Sequence, residues 1–462
     1  MRKITVAGVV ALVAVLGSAG AITASIVLSG PASAALTSAT AASTATAASA
    51  QDASLLAATP ATRADLGTRP GAPLANPVNP AQQHLAYPAG VKPAATTEQE
   101  TLNSVSCLAV SNCLAVGGDY GLNAGHGSPR TFHWNGSAWS AVSVPLPSAT
   151  TGGSLFSVSC NGTCVAVGAY FRGTSQYVLA EAWNGTGWTL SLPEAIPGSL
   201  APVLSVVSCA SAAYCVGVGY YTPASNHNGS VAIAETWTPT GGWTLFTAPN
   251  TTSYDYDALY GVSCTATNFC LMGGEYASSN GGYFTSLVER FNGSGFTRVT
   301  DAAQTVANHY ATYINSVSCR SSVACVLVGE QTKIASTVTW QGWAETYTGK
   351  WARTGAAVPA TGGSILNSVS CAVSNYCIAV GGFGAYNWPT TGNAIFSIWN
   401  GSTWALHFAD APSGQGNLLV GDQCLTTTYC VAAGTQGTYN TDAGHGETWS
   451  WNGASFTLAP TA

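Results

Sequence analysis

Four glutamates, Glu181, Glu235, Glu289 and Glu345, each stand two residues ahead of an aromatic. Paired carboxyls can serve as the acid and base of glycoside hydrolysis, but only when about 5–10 Å apart. These four recur at equivalent places in separate copies of a repeat, one per copy. They are therefore expected to be scaffold, accepting hydrogen bonds at a sheet edge. Gly125-His126-Gly127 and Gly444-His445-Gly446, with Asp442 close by, offer two imidazoles and a carboxylate to a metal ion. Asp255 and Asp257 offer oxygens of the kind calcium takes. Tyr120, Tyr170, Tyr221, Tyr276, Phe383, Trp388 and Tyr439 are aromatics that could stack on a sugar ring or anchor a protein partner. No Ser-His-Asp elbow, phosphate loop or dinucleotide fingerprint is present, so no catalytic residue and no cofactor is expected.

What must position these groups is a repeat. The fourteen cysteines fall into seven close pairs: Cys107 with Cys113, Cys160 with Cys164, Cys209 with Cys215, Cys264 with Cys270, Cys319 with Cys325, Cys371 with Cys377 and Cys424 with Cys430. Their first members are 53, 49, 55, 55, 52 and 53 residues apart, a period that marks a repeat architecture. Each unit holds four short segments. The first ends at the leading cysteine, as in Asn103-Ser-Val-Ser-Cys107, and the second runs from the trailing cysteine to a glycine, as in Cys113-Leu-Ala-Val-Gly117. The third runs into a turn, as in Glu181-Ala-Trp-Asn-Gly185, and the fourth opens on an aromatic, as in Trp188-Thr-Leu-Ser-Leu192. Alternation with period two between turn residues makes each a strand.

Four strands joined by short loops form a meander, and large residues on both faces need neighbours on both sides. The fold class is thus all-β: a seven-bladed β-propeller of four-stranded antiparallel blades with one hairpin disulfide per blade. The blades lie near residues 101–148, 149–199, 200–250, 251–304, 305–360, 361–414 and 415–462. Serine precedes the first cysteine in six of seven copies, which suits a crowded inner strand. Metal binding is the rival use of the cysteines, but structural zinc wants four converging ligands and successive pairs fall on different blades. The turn between third and fourth strands carries an aromatic, then usually Asn-Gly, then a second aromatic, as at Trp134 and Trp139. Several Asn-Gly-Ser/Thr triplets match a glycosylation acceptor, but their fixed blade position makes them turn chemistry.

With the first strand innermost, loops between second and third strands share a face with the blade-to-blade connections, opposite the disulfide hairpins. The seven aromatics named above follow the second-strand glycine and so sit toward that face. The alternative is that they extend the strand and pack on a neighbouring blade. His126 and His445 occupy the same loop in the first and last blades, which ring closure makes neighbours.

The blade pattern resembles the Asp-box propellers, the group that includes sialidases and photosystem II stability factor-like proteins. The matching turns here include Asn135-Gly-Ser-Ala-Trp139 and Asn184-Gly-Thr-Gly-Trp188, with asparagine in the place of the box's aspartate. Kelch-type propellers share the paired aromatics and the Gly-Gly seen at Gly117-Gly118 and Gly381-Gly382. The paired cysteines depart from both. The resemblance implies fold rather than activity. Sialidase chemistry would require an arginine cluster, a Tyr/Glu nucleophile and an acid. The basic residues beyond position 100 are Arg130, Arg172, Arg290, Arg298, Arg320, Lys333, Lys350 and Arg353, and they form no three-arginine set on one face.

Composition closes other routes. Charged residues are 7% of the chain and the net charge is −6, so no basic stripe exists to neutralise nucleic-acid phosphates. Residues 1–34 read as a signal peptide, with Arg2-Lys3, an apolar run and Ala32-Ser33-Ala34; an uncleaved anchor is the competing reading. Residues 35–100 are an Ala/Ser/Thr/Pro-rich linker, expected to be disordered, and the propeller occupies 101–462. The expectation is an extracellular, secreted or envelope-associated monomer that binds a glycan or a surface protein without catalysis. The alternative is a glycan-processing hydrolase or lyase on the same scaffold.

Overall fold

The computed structural model describes residues 12–16, 22–26, 83–85, 99–120, 127–225, 229–247, 256–277, 284–302, 310–334, 338–359, 363–384, 392–409, 416–438 and 443–460. The chain divides into two units, Met1–Ala58 and Thr59–Ala462. In the first, Leu12–Leu16 pairs antiparallel with Ile22–Ile26. The second contains seven four-stranded antiparallel sheets in simple meander order, a seven-bladed propeller. Blade 6 gains a fifth strand, because Gln83–Leu85 lies parallel to His407–Ala409 at its outer edge. No helix among the described residues is long and apolar enough to cross a membrane.

The inner strands are Gln99–Ala109, Gly152–Cys160, Ser199–Ser211, Tyr256–Ala266, Tyr310–Ser321, Ser364–Val373 and Gly416–Thr426. Each touches the inner strands on either side, including the last against the first. All seven expected disulfides form. They join Cys107 to Cys113, Cys160 to Cys164, Cys209 to Cys215, Cys264 to Cys270, Cys319 to Cys325, Cys371 to Cys377 and Cys424 to Cys430. No free cysteine remains, so the rival use of the pairs as zinc ligands falls away. Each trailing cysteine also faces the third-strand aromatic across the ladder. Cys113 lies opposite Trp134, Cys164 opposite Trp183, Cys215 opposite Trp237 and Cys270 opposite Phe291. Cys325 lies opposite Tyr347, Cys377 opposite Trp399 and Cys430 opposite Trp451.

The apolar core lies between blades. Seven clusters fill the seven junctions, as where Leu114 and Val116 of blade 1 meet Leu179, Trp183 and Trp188 of blade 2. The junction of blades 7 and 1 is built alike, from Val431 and Ala433 against Leu102, Val105 and Phe132. An eighth cluster joins Phe156, Val203, Tyr220 and Ala258.

Small size is only half the reason for the repeated serine. The hydroxyls of Ser106, Ser159, Ser208, Ser263, Ser318 and Ser370 accept the backbone N–H of the leading cysteine on the next blade, at 2.8–3.0 Å. In the seventh blade, where the serine is missing, Gln423 Oε1 reaches the Cys107 N–H and accepts the Ser106 hydroxyl as well. The result is a closed belt of hydrogen bonds around the axis. Serines two residues earlier add four further links, to Val158, Val207, Val369 and Asp422. The asparagine of the Asn-Ser-Val-Ser-Cys run donates to the next blade's carbonyl from Asn103, Asn315 and Asn367, at 2.8–2.9 Å.

The glycine closing each second strand has a separate cause. Every inner strand bulges four residues before its leading cysteine, at Asn103, Phe156, Ser205, Tyr260, Asn315, Asn367 and Val420. The bulge presses a carbonyl onto the glycine opposite. A Cβ at Gly117, Gly168, Gly219, Gly274, Gly329, Gly381 or Gly434 would land on that oxygen. Only glycine fits there.

The Asn-Gly turns are Asx turns. Asn135 Oδ1 accepts the Ser137 N–H (2.9 Å), the Ser137 hydroxyl (2.8 Å) and the Ala138 N–H (3.0 Å). Asn184, Asn292 and Asn400 do the same. Positive φ falls on the glycine alone, near +95°. An asparagine needs only its carbonyl oxygen for this, which is why it can stand where an aspartate would serve.

Candidate functional site

The four repeated glutamates are not at a sheet edge. Glu181, Glu235, Glu289 and Glu345 are buried on the face of their blade that packs against the preceding one. Alternation fixes this: Glu181 lies between Leu179 and Trp183, which both touch blade 1, and the other three repeat the arrangement. Period two cannot tell which face of a blade carries core, because both do. The four lie at four different junctions, so they are not paired as a glycosidase would require.

Their settings differ. Glu289 and Glu345 have arginines across the ladder, Arg298 and Arg353, whereas Glu181 and Glu235 face Leu190 and Leu245. Glu345 also accepts the Ala302 N–H at 2.7 Å. Burial pushes Glu181 up to about 8 and Glu235 up to about 7. Burial and neighbouring Asp257 push Glu289 up to about 7, against the pull of Arg298. Asp422 stands where the other six inner strands carry valine. Burial raises it to about 7, opposed by the Ser368 hydroxyl and the Ser370 backbone.

The loop ends of the blades carry the aromatics. Tyr170 is buried and stacks on half-buried Tyr177, with ring centroids 5.2 Å apart. The exposed Arg172 guanidinium lies 5.5 and 5.6 Å from the two rings. Tyr221 is half-buried against the junction of blades 2 and 3. Tyr276 is half-buried, with the Arg298 guanidinium 3.8 Å above its ring. Phe383 is buried, edge-on to Phe408 at 5.9 Å. Tyr120 ends its strand opposite Gln99. Trp388 and Tyr439 lie outside the described residues, as do His126, Asp442 and Asp255.

Several aromatics at these ends escape the sequence pattern. Tyr256, Phe284, Tyr313 and Trp340 form a row across blades 4 and 5, with successive centroids 6.2, 5.7 and 5.8 Å apart. Tyr220 meets Tyr260 edge-on at 6.1 Å, and the Tyr260 hydroxyl donates to Glu275 at 2.9 Å. Tyr256, Phe284, Tyr313 and Trp340 stand at or near the start of inner or third strands, where loops of variable length remove any constant offset from a cysteine. Tyr220 and Tyr260 did hold fixed offsets, five residues after Cys215 and four before Cys264.

In blade 7, His445 is half-buried opposite Gln436 on the strand face shared with Trp449 and Trp451, which pack on blade 6, and burial lowers its pKa. In blade 1, Arg130 bridges Asp119 at 2.5 Å, and Asp119 pairs across the ladder with Glu100. Asp257 is buried, with its N–H on the Ser230 carbonyl. Among the described residues, no three His, Cys, Asp or Glu side chains converge as a metal ion would require.

Fold and surface together define a disulfide-laced seven-bladed propeller whose distinctive surface is a tyrosine-rich loop end. No family model and no curated protein matches the chain. Among solved structures, the propeller is similar to YCF48 bound to D1 peptide, with 10% identity over 83% of this chain and 98% of that one and a TM-score of 0.44. It is similar to Chaetomium thermophilum Sqt1 bound to the N-terminus of the ribosomal protein L10, at 9% identity over 81% and 88% of the chains and a TM-score of 0.42. Trypanosoma rangeli sialidase matches at 8% identity over 67% of this chain and 54% of its own, with a TM-score of 0.39. The match thus spans about half of the sialidase chain.

Proposed function

We propose that the protein is a non-enzymatic extracellular binding module that takes a glycan at the loop end of blades 2 to 5. The observation that carries this reading is the half-buried state of Tyr177, Tyr221, Tyr256, Tyr276 and Tyr313 at that end. Features that recur sevenfold are consumed by the scaffold: the belt, the bulge with its glycine, the disulfide and the turn aromatics. A tyrosine with one edge in the core and one in solvent is held still, offers an apolar face, and keeps a hydroxyl for hydrogen bonding. Arg172 and Arg298 lie over such rings and add donors. Seven disulfides suit an oxidising, extracellular setting, in keeping with residues 1–34 as an export signal.

A glycan array tests the reading. Binding should appear on a restricted set of polysaccharides and fall when Tyr221 and Tyr276 are replaced by alanine. Absence of glycan binding, or binding indifferent to both changes, refutes it. Capture of a surface protein through the same tyrosines would replace the ligand class but keep the site.

A further inference from the structure

Blade 2 has a buried carboxyl at each of its junctions. Glu181 of blade 2 faces blade 1, and Glu235 of blade 3 faces blade 2. Neither oxygen of Glu181 has a hydrogen-bond partner, and Glu235 Oε1 has none. The next two junctions solve the same problem differently, with Arg298 and Arg353 across the ladder. Here the ladder neighbours are Leu190 and Leu245.

The surroundings supply no counter-charge. From blade 1, Glu181 is faced by Leu114, Val116, Thr131 and His133; His133 is bound to Asn112 at 3.0 Å and lies against Trp183. The connection packed there contributes Val142, Val144 and Leu146, and blade 2 itself contributes Tyr170 and Tyr177. Glu235 is faced from blade 2 by Val165, Val167, Val178 and Ala180, with Ala182 and Ile196 beside them. Tyr221 of its own blade packs on the same cluster, and the connection from blade 2 carries the exposed Glu194. An ionised Glu181 would have no donor on either oxygen, and an ionised Glu235 none on Oε1, to offset the lost hydration.

We propose that the two junctions of blade 2 form a proton latch, sealed while Glu181 and Glu235 hold their protons and loosened when those protons leave. Burial raises both groups above the ordinary carboxyl range, to about 8 and about 7. The sign follows from linkage. Below the unfolded value near 4.5 both states are protonated, and the junctions carry no penalty. As pH rises above it, the unfolded chain releases protons that the folded one keeps, so stability falls. The fall ends once pH passes the folded values and both states are ionised. Such a ring tightens in acid and loosens toward alkaline pH, the reverse of a protein held by ion pairs.

The test uses the full chain, with Glu181→Gln and Glu235→Gln combined. Hydrogen exchange, corrected for intrinsic rates, is followed at the Cys160 and Cys209 amides, which cross the two junctions, and at Cys371 as reference. From pH 5 to 8.5, wild-type protection at Cys160 and Cys209 should fall at least about tenfold more than at Cys371, one pH unit of linkage. In the variant that excess should vanish. A wild-type profile with no excess, or a variant retaining it, overturns the proposal. Should the glutamine variant fail to fold, Glu181→Leu with Glu235→Leu asks the same question with apolar side chains.

Discussion

Replacing Ser318 by alanine removes one link of the inner belt and little else. Its hydroxyl accepts the Cys371 N–H at 3.0 Å, and the donor sits on an inner strand shielded by blades 5 and 6. Alanine fills nearly the same volume, so the cost is that of leaving a buried N–H without an acceptor, about 1–3 kcal/mol. Gln423→Ala is the stronger case. It strips the acceptor from the Cys107 N–H and from the Ser106 hydroxyl, and it does so at the one junction where the chain is not continuous. It should therefore cost at least as much as Ser318→Ala. Urea unfolding gives the stability change from the midpoint at constant slope. Hydrogen exchange at the Cys371 and Cys107 amides says whether the damage is local. The reasoning is refuted if both variants stay within about 0.5 kcal/mol of the parent, the range of an ordinary surface change. It is refuted equally if those two amides keep their protection.

Three other outcomes follow from the geometry. Gly274→Ala would put a methyl on the Ala258 carbonyl and should cost more than about 3 kcal/mol or abolish soluble expression, while Gly185→Ala, at φ +98° with open space around it, should cost only about 1–2 kcal/mol; paired urea titrations compare them. Asn184→Asp keeps the oxygen that accepts from Thr186 and Gly187 and should be nearly silent, whereas Asn184→Ala should lose about 1 kcal/mol in the same titration. Deleting one hairpin disulfide by Cys371→Ala with Cys377→Ala should cost about 2 kcal/mol, the closure entropy of so short a loop, and leave the fold intact by circular dichroism.

The scaffold was legible because its constraints repeat. Seven cysteine pairs at one spacing gave blade number, strand order and the disulfide-bearing end, and one N-S-V-S-C run marked the inner strand. What the serines do was not legible: their partners lie 50 to 56 residues away on the next blade, and no local pattern encodes a donor across a junction. The glutamates were misplaced for a related reason. A strand buried on both faces has no polar side to contrast with, so alternation could not set Glu181 between blades rather than at a rim. At the loop ends, Tyr170 and Tyr276 were visible by their offset from the second-strand glycine. Tyr256, Phe284, Tyr313 and Trp340 were hidden by unequal loop lengths.

Each of the seven junction clusters draws residues from two successive blades, and each belt hydrogen bond has its donor and acceptor on different blades. The element that folds is accordingly the junction rather than the blade. A linear stack of such elements would end in two raw half-cores and require special caps. Bending the stack until Val431 meets Val105 lets the two open ends cap one another. The circle is thereby its own terminus, and blade number is fixed by curvature, since one junction fewer or more would leave that last pair out of reach.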